Sequence, residues 1–498
     1  LPHCALPVRS VAMDEAVIGR LAAVAARLDR QVSSATSSAP IGVSLGVSIG
    51  LDNLLVHAAG VADSSTGAPV TAQTTFYLAS VTKTITSTAV MCLVADGLID
   101  LDQPIERYLP APGDRRARSS ALTVHLGSSD DVTVRRVANH TAGLAAYDQY
   151  WFLDEPERPP APDQAIEARG HIVTIPGERF WYANFGFALL QHAVEHTSGM
   201  PFATFLEERI FRPLAMKHSW FQSGHEHAQF AAARHRADGT PYPPITNDIL
   251  GAGSVYSCAT DLLLFGQAHL GLVRGWLAPD VLAEAHRPTV QLPPWDLDDG
   301  GGCAVGWFVD DDRFPVPAIG HDGGSLGAST ALIILPEIQA VVTVLTNREE
   351  RDQVDPQAVA DDLVAALLPE YAATVQLRRS NSWRRSTDPP NEPLPHGRWV
   401  GMVSTPDRVR SVEISIDAHS AQVSVDGSPW AALFDPQCDG PWMQISAELT
   451  IDNHETRRIG RHFLDFDLCR RGDRLTGVMA AKGGDHRISY WTELEEVQ

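Results

Sequence analysis

Strand-like runs stand on both sides of a long helix-rich block in this chain, and that arrangement limits the fold more than any other feature. Gly42 to Leu51 and Leu54 to Gly60 read as a hairpin around Asp52-Asn53. After the block, Gly302 to Val309, Ala318 to Ile334 and Ala340 to Thr346 read as further strands, and Val354 to Tyr371 as a closing helix. The intervening stretch from about Leu98 to Asp248 is expected to be mostly helical, with proline-rich loops such as Glu155 to Pro162. Strands before and after such a block are most simply joined in a single sheet, with the block as an insertion, which makes the first part an α/β layer. An amphipathic helix over Met13 to Ser34 opens it, with Ile18, Leu21, Ala22, Val24, Ala25 and Leu28 at helical spacing.

The 498 residues leave room for more than one domain. Arg378 to Gly397 is charged, proline-rich and aperiodic, and is expected to link a first domain, residues 13–377, to a second, residues 398–498. In the second, apolar residues alternate with polar ones: Val412, Ile414 and Ile416; Val423 and Val425 before Asp426-Gly427; Leu464, Phe466 and Leu468 around Asp465 and Asp467. That period of two predicts an antiparallel barrel or sandwich.

Charge narrows the range of partners. Asp plus Glu number 61 against 39 Lys plus Arg, a net charge of −22 that is repelled by phosphate backbones and anionic lipid. Neither nucleic acid nor a membrane is therefore an expected partner, and no stretch approaches the roughly 18 apolar residues of a spanning helix. Cys4, Cys92, Cys258, Cys303, Cys438 and Cys469 are scattered without a C-x-x-C pair, which predicts reduced and mostly buried thiols, and no motif calls for a metal or cofactor. Leu1 to Ala12 lacks the pattern of a signal peptide, so a cytoplasmic location is expected, a processed secreted form being the alternative.

Among the 39 basic residues only Lys83, Lys217 and Lys482 are lysines. Codon bias in a GC-rich genome is the expected cause of the trend, yet a retained lysine is informative because an amine can lose its proton in a buried site and a guanidinium cannot. Lys83 closes Ser80-Val81-Thr82-Lys83 at the mouth of a helix expected over Ser80 to Asp96, and a residue three positions on shares the face of the first. A serine hydroxyl needs a neighbouring base to become a nucleophile, and the helix N-terminus favours the oxyanion that follows attack. Two companions lie downstream. Tyr182-Ala183-Asn184 places a phenol and an amide at a loop–helix junction, and His321-Asp322-Gly323-Gly324 sits on an expected strand whose glycines let a substrate backbone approach.

The order S-x-x-K, Y-x-N, H-x-G, with Phe76-Tyr77-Leu78-Ala79 before Ser80, Asn139-His140-Thr141-Ala142-Gly143-Leu144 and Leu345-Thr346-Asn347, resembles the class C β-lactamase and D-Ala-D-Ala carboxypeptidase family from about Val43 to Leu367. The resemblance implies an antiparallel sheet flanked by helices with an all-helical insertion. It implies that Ser80 is the acylated nucleophile, that Lys83 and Tyr182 share proton transfer, that Asn184 contacts substrate, and that the N–H groups of Ser80 and Gly324 form the oxyanion hole. His321 stands where the β-lactamase pattern K-T-G has lysine, so efficient β-lactam hydrolysis is not expected, whereas esterases, D-aminopeptidases and acyl-transferring members are similar in carrying H-x-G. A lipocalin-like C-terminal barrel is likewise similar to that of D-aminopeptidases and some peptide-cyclising thioesterases.

Gly42 to Gly46, Gly46 to Gly50 and Gly323 to Gly327 all spell G-x-S-x-G, but the nucleophile elbow needs a strand, a tight turn and a helix, and the first two lie within a strand. His225, His227 and His235 lack a zinc-site pattern and are expected in a solvated loop. Asn139-His140-Thr141 is a formal glycosylation sequon too close to the nucleophile motifs to be expected to carry glycan. Gly323 and the aromatics Tyr147, Tyr150, Trp151 and Phe152 are candidates to line the substrate pocket, core packing being the alternative for the aromatics, and Pro293 to Gly302 is a candidate overhang. The expected function is serine hydrolysis of an amide or ester, for example in a D-residue-containing peptide. The alternatives are acyl transfer or cyclisation from a thioester or carrier-bound substrate by the same acyl-enzyme, and a catalytically silent binding protein.

Overall fold

The computed structural model describes residues 15–34, 41–110, 121–222, 225–292, 301–310, 314–348, 354–373, 394–484 and 486–497. Most of the expected linker Arg378 to Gly397 and of the Pro293 to Gly302 segment lies outside the described residues. The chain divides into two compact units, one drawn from Leu1–Pro110, Phe152–Pro156 and Phe187–Arg384, the other from Ala111–Trp151, Glu157–Gly186 and Arg385–Gln498.

The first unit is built on a nine-stranded sheet. Its strands are β1 (Gly42–Ile49), β2 (Asp52–Asp63), β3 (Ala68–Pro69), β4 (Val290–Gln291), β5 (Gly302–Cys303), β6 (Phe308–Asp310), β7 (Ala318–Ser325), β8 (Ala328–Leu335) and β9 (Ala340–Thr346). They lie in the order β4-β5-β6-β7-β8-β9-β1-β2-β3, all pairs antiparallel, so β1 and β9 join the strands that precede the helix-rich block to those that follow it. The run Ala318 to Ile334 is two strands rather than one, because Gly327 takes a φ of +65° and turns the chain back.

Helices α1 (Glu15–Ser34), α2 (Thr82–Ala95), α3 (Ala259–His269) and α4 (Pro356–Leu367) cover this sheet. One face of β1 presents Val43, Leu45 and Val47 to a core shared with Val17, Leu21 and Leu28 of α1 and Val359 and Leu363 of α4. The other face of the sheet approaches α3 so closely that a Cβ on Gly46 of β1 would lie 3.0 Å from Leu263, and one on Gly266 would lie 2.5 Å from Val341 of β9. The glycines that spell a hydrolase motif in β1 are thus packing residues.

Every residue of α2 from Thr82 to Leu93 is buried, which is why the helix lacks an amphipathic stripe. Three of its threonine hydroxyls are satisfied internally: Thr84 donates to Val81 O, Thr88 to Thr84 O and Thr86 to Gly251 O. Behind the helix, His269 bridges Thr88 Oγ1 and His286, at 3.0 Å each.

The second unit contains a closed antiparallel barrel of strands β10 (Gly397–Ser404), β11 (Val409–Ile416), β12 (Ala421–Val425), β13 (Ala431–Asp439), β14 (Trp442–Ala447), β15 (Phe463–Arg471), β16 (Arg474–Gly483) and β17 (His486–Glu496). Trp399, Val412, Ile414, Phe466 and Leu494 are fully buried. Strand β16 is buried along nearly its whole length, because Val478 packs outward on Ala145 and Val173. Trp181 meets Trp442 edge to face, and Arg169 pairs with Glu455. Within the stretch expected to be helical, residues 121–186 hold only short helices such as Val134–Ala138 and Pro162–Arg169, and packing on the barrel wall holds the loops between them. Among the described residues no helix is long and apolar enough to cross a membrane.

Burial holds His286 down to about 4 and His269 well below its ordinary value, so both are neutral when folded, while an unfolded histidine binds a proton near pH 6.5. The unfolded state then binds more protons between those values, and stability falls as pH drops from 6.5 toward 4, by on the order of 3 kcal/mol for one such group. Urea denaturation across that range is expected to show the loss, and His286→Gln to reduce it; an unaltered pH profile in the variant would place the acid sensitivity elsewhere.

Candidate active site

Ser80 lies in a 3-10 turn, Ala79–Val81, that runs directly into α2. Lys83 follows one turn later, has no exposed surface, and donates from Nζ to Ser80 Oγ at 2.9 Å and to Ala252 O at 3.1 Å. The Phe187 ring lies 5.5 Å from the same nitrogen. The turn is held under strain: Ala79, which has a Cβ, takes a φ of +46°. Surrounding backbone secures it, with Leu78 N donating to Val255 O and Thr330 Oγ1 donating to Leu78 O.

Strand β7 presses on this turn. A Cβ at Gly323 would stand 2.4 Å from Leu78 O and 2.3 Å from Thr330 Oγ1, so only glycine fits. Pairing of β7 with β6 stops at Gly320, ahead of His321, Gly323 and Gly324. The His321 side chain is 3% exposed, its Nδ1 lies 2.6 Å from Asp322 O, and its ring meets Phe308. Burial first, and the Lys83 charge second, hold its pKa well below the usual histidine value. The imidazole is therefore neutral at pH 7.

In the second unit, His140 organises the Y-x-N segment. Its φ is +61°, its carbonyl accepts from Trp181 N, its Nδ1 accepts from Ala183 N at 3.1 Å, and its ring stacks on Tyr182 with centroids 4.2 Å apart. An accepting Nδ1 puts the ring proton on Nε2. Gly143 allows the tight turn that follows, since a Cβ there would lie 2.3 Å from Thr174 O. The Asn139 to Leu144 motif is therefore the clasp of the Tyr182 loop. Asn139 itself is 3% exposed and binds Thr141, which leaves no room for a glycan. Asn184 donates to Asp148 Oδ1 at 2.5 Å.

The structure thus brings Ser80, Lys83, Ala79, His321 and Gly323 together in the first unit, with Gly324 next along β7, and Tyr182, Asn184, His140 and Asp148 together in the second. Tyr147 and Trp151 are packed within the second unit: Tyr147 donates to Gln149 and lies under Arg169, and Trp151 lies beside Arg458. His227 stacks on Trp220 and His235 binds Ser64 N, two separate engagements. Among the described residues no cluster of three or more His, Cys, Asp or Glu could hold a metal. Asp148, which lies in no motif, and the left-handed backbone of Ala79 were not anticipated from the sequence.

A family model described as Beta-lactamase matches residues 26–366. Esterase EstB of Burkholderia gladioli is 31% identical over 373 residues, covering 71% of this chain and 85% of that protein. Penicillin-binding protein 4* of Bacillus subtilis is 25% identical over 324 residues, covering 60% of this chain, and the chain spans 66% of that relative's length. It spans 46% of the length of a second Bacillus subtilis relative, the putative penicillin-binding protein PbpX. Among solved structures, SurE superposes with a TM-score of 0.62 at 22% identity, over 97% of this chain and 100% of that one. D-amino acid amidase from Ochrobactrum anthropi SV3 gives 0.55 at 22% identity over 72% and 99%. These structural likenesses show the fold, whereas the match over residues 26–366 and the resemblance to EstB show more: the chain belongs to the beta-lactamase family of serine hydrolases.

Proposed function

We propose that this chain cleaves amide or ester bonds through an acyl-enzyme at Ser80. The observation that carries the reading is the 2.9 Å hydrogen bond between Ser80 Oγ and the fully buried amine of Lys83. Lys83 Nζ, once it has given up its own proton, takes the hydroxyl proton as Oγ attacks the carbonyl carbon. The N–H groups of Ser80 and Gly324 receive the oxyanion. Collapse of the tetrahedral intermediate breaks the bond to the leaving group, which takes a proton through Tyr182, and water then hydrolyses the acyl ester by the reverse proton path. Asn184 holds an amide of the acyl group.

The substrate class we infer is an acyl compound with an amide on its acyl side, such as a D-residue-containing peptide. EstB and the D-alanyl-D-alanine-carboxypeptidase/endopeptidase AmpH of Escherichia coli, 27% identical over 198 residues, support an ester- and peptide-directed reading. A neutral His321 supplies no cation for a substrate carboxylate, so β-lactam turnover should be slow beside ester turnover. The same acyl-enzyme can pass its acyl group to an amine or alcohol, including from a thioester. The ratio of hydrolysis to aminolysis products with a competing amine measures that branch.

Intact-mass labelling with a fluorophosphonate is expected to modify Ser80 alone, and Ser80→Ala to lose turnover of a p-nitrophenyl ester by roughly a thousandfold or more. An adduct elsewhere, or turnover retained in Ser80→Ala, rejects the assignment. Lys83→Arg places a guanidinium that cannot shed its proton to act as a base and is expected to be as inactive; activity in it would remove the base role. Gly323→Ala should push the nucleophile turn out of place and lower kcat/KM by about a hundredfold while the circular dichroism stays that of the parent. Unaltered kcat/KM in that variant would show that the press of β7 on Leu78 is immaterial to catalysis.

A further inference from the structure

Strand β17 of the barrel has an edge that the barrel itself does not use. It pairs with β16 from His486 to Glu495, but with β10 only from Thr492 to Glu496. Below that point a segment of the insertion takes the place of a strand. Asp148 N donates to Arg487 O at 2.9 Å and Arg487 N donates to Asp148 O at 2.8 Å, a narrow antiparallel bridge. Two residues away on each side, Ser489 Oγ donates to Ala146 O at 2.6 Å. Arg487 is itself held: its guanidinium pairs with Asp467 and lies 3.9 Å from Asp465. The Asp148 side chain, whose backbone is fixed in this way, accepts the Asn184 amide at 2.5 Å.

We propose that the barrel is a positioning device for the Y-x-N segment, acting through Asp148. The inference rests on the acyl-enzyme reading for its catalytic consequence. A side-chain amide such as that of Asn184 turns freely about its last bond unless an acceptor fixes it, and that rotation decides whether its oxygen or its nitrogen meets the substrate. Asp148 accepts only, so it fixes the nitrogen toward itself and leaves the oxygen for the substrate. A loop alone would hold such an acceptor loosely, whereas two ladder hydrogen bonds to a barrel strand hold it as part of a sheet. Asp148 touches no reacting atom in this scheme and is a positioning residue.

The test uses the full chain. In Asp148→Ala, kcat for a p-nitrophenyl ester is expected to fall about tenfold or more with KM nearly unaltered. Asp148→Asn keeps an acceptor oxygen and is expected to recover most of that loss, to within about threefold of the parent. The double variant Asp148→Ala/Asn184→Ala should match Asn184→Ala alone, since one acts through the other. Parent-like turnover in Asp148→Ala, failure of Asp148→Asn to recover, or multiplied losses in the double variant would each overturn the proposal. Hydrogen exchange supplies a readout that does not depend on activity. Peptides spanning residues 181–186 should exchange faster in Asp148→Ala and in the barrel variant Ser489→Ala, and unaltered exchange in both would also overturn it. Should fluorophosphonate leave Ser80 unmodified in the parent, the acyl-enzyme reading fails, and the exchange data still decide whether the barrel orders the segment.

Discussion

A lysine amine with no solvent contact donates a hydrogen bond to a serine hydroxyl at the mouth of a buried helix, and the first unit is arranged to make that arrangement tenable. An amine removed from water needs acceptors. Ser80 Oγ and Ala252 O supply two of them, and the second is a backbone carbonyl that cannot swing away. The helix that carries the amine has to be buried on every side, so its threonines find partners within the protein and its far face rests on a pair of neutral histidines. Strain at Ala79 lifts Ser80 into position, and the backbone of β7, stripped of a side chain at Gly323, holds the turn from above. The site is a matter of close approach more than of exotic side chains.

Much of this was legible from residue types. The Ser80 and Lys83 pair is a local contact one helical turn apart, and local contacts are what a sequence displays directly. The hairpin of β1 and β2, the closing helix and the alternating strands of the barrel follow from periodicity for the same reason. What stayed hidden depends on partners hundreds of residues distant. Asp148 carries no motif, and its importance comes from Arg487. Tyr147 and Trp151 look like pocket aromatics until Arg169 and Arg458 are seen stacked on them. The stretch from about Leu98 to Asp248 reads as mostly helical, whereas within it Ala145, Val173 and Trp181 pack on Val478 of the barrel from loops and short elements. A hint was present: Leu475 to Ala481 runs with little polar alternation, the mark of a strand covered on both faces.

Motifs also need their surroundings before they carry meaning. Three G-x-S-x-G strings occur, and their glycines have unrelated physical causes. Gly42 and Gly46 in β1 make room for Val61 O and Leu263, Gly323 makes room for the turn that carries Ser80, and Gly327 reverses the chain. The third of these strings touches the site, but through the shape of its backbone and not through its serine. The formal sequon at Asn139 similarly turns out to be a buried clasp, its amide oxygen occupied by Thr141.

The second unit mixes residues from the middle of the chain with residues from its end, and translation delivers these far apart in time. At about 5–20 residues per second, the Tyr182 loop leaves the ribosome many seconds before the last barrel strands do. In that interval Trp181, Val173 and Ala145 have no wall to rest on, and β17, the final strand, is the one that receives Asp148. The Tyr182 loop therefore gains these contacts only after the barrel strands have been made, long after the loop itself.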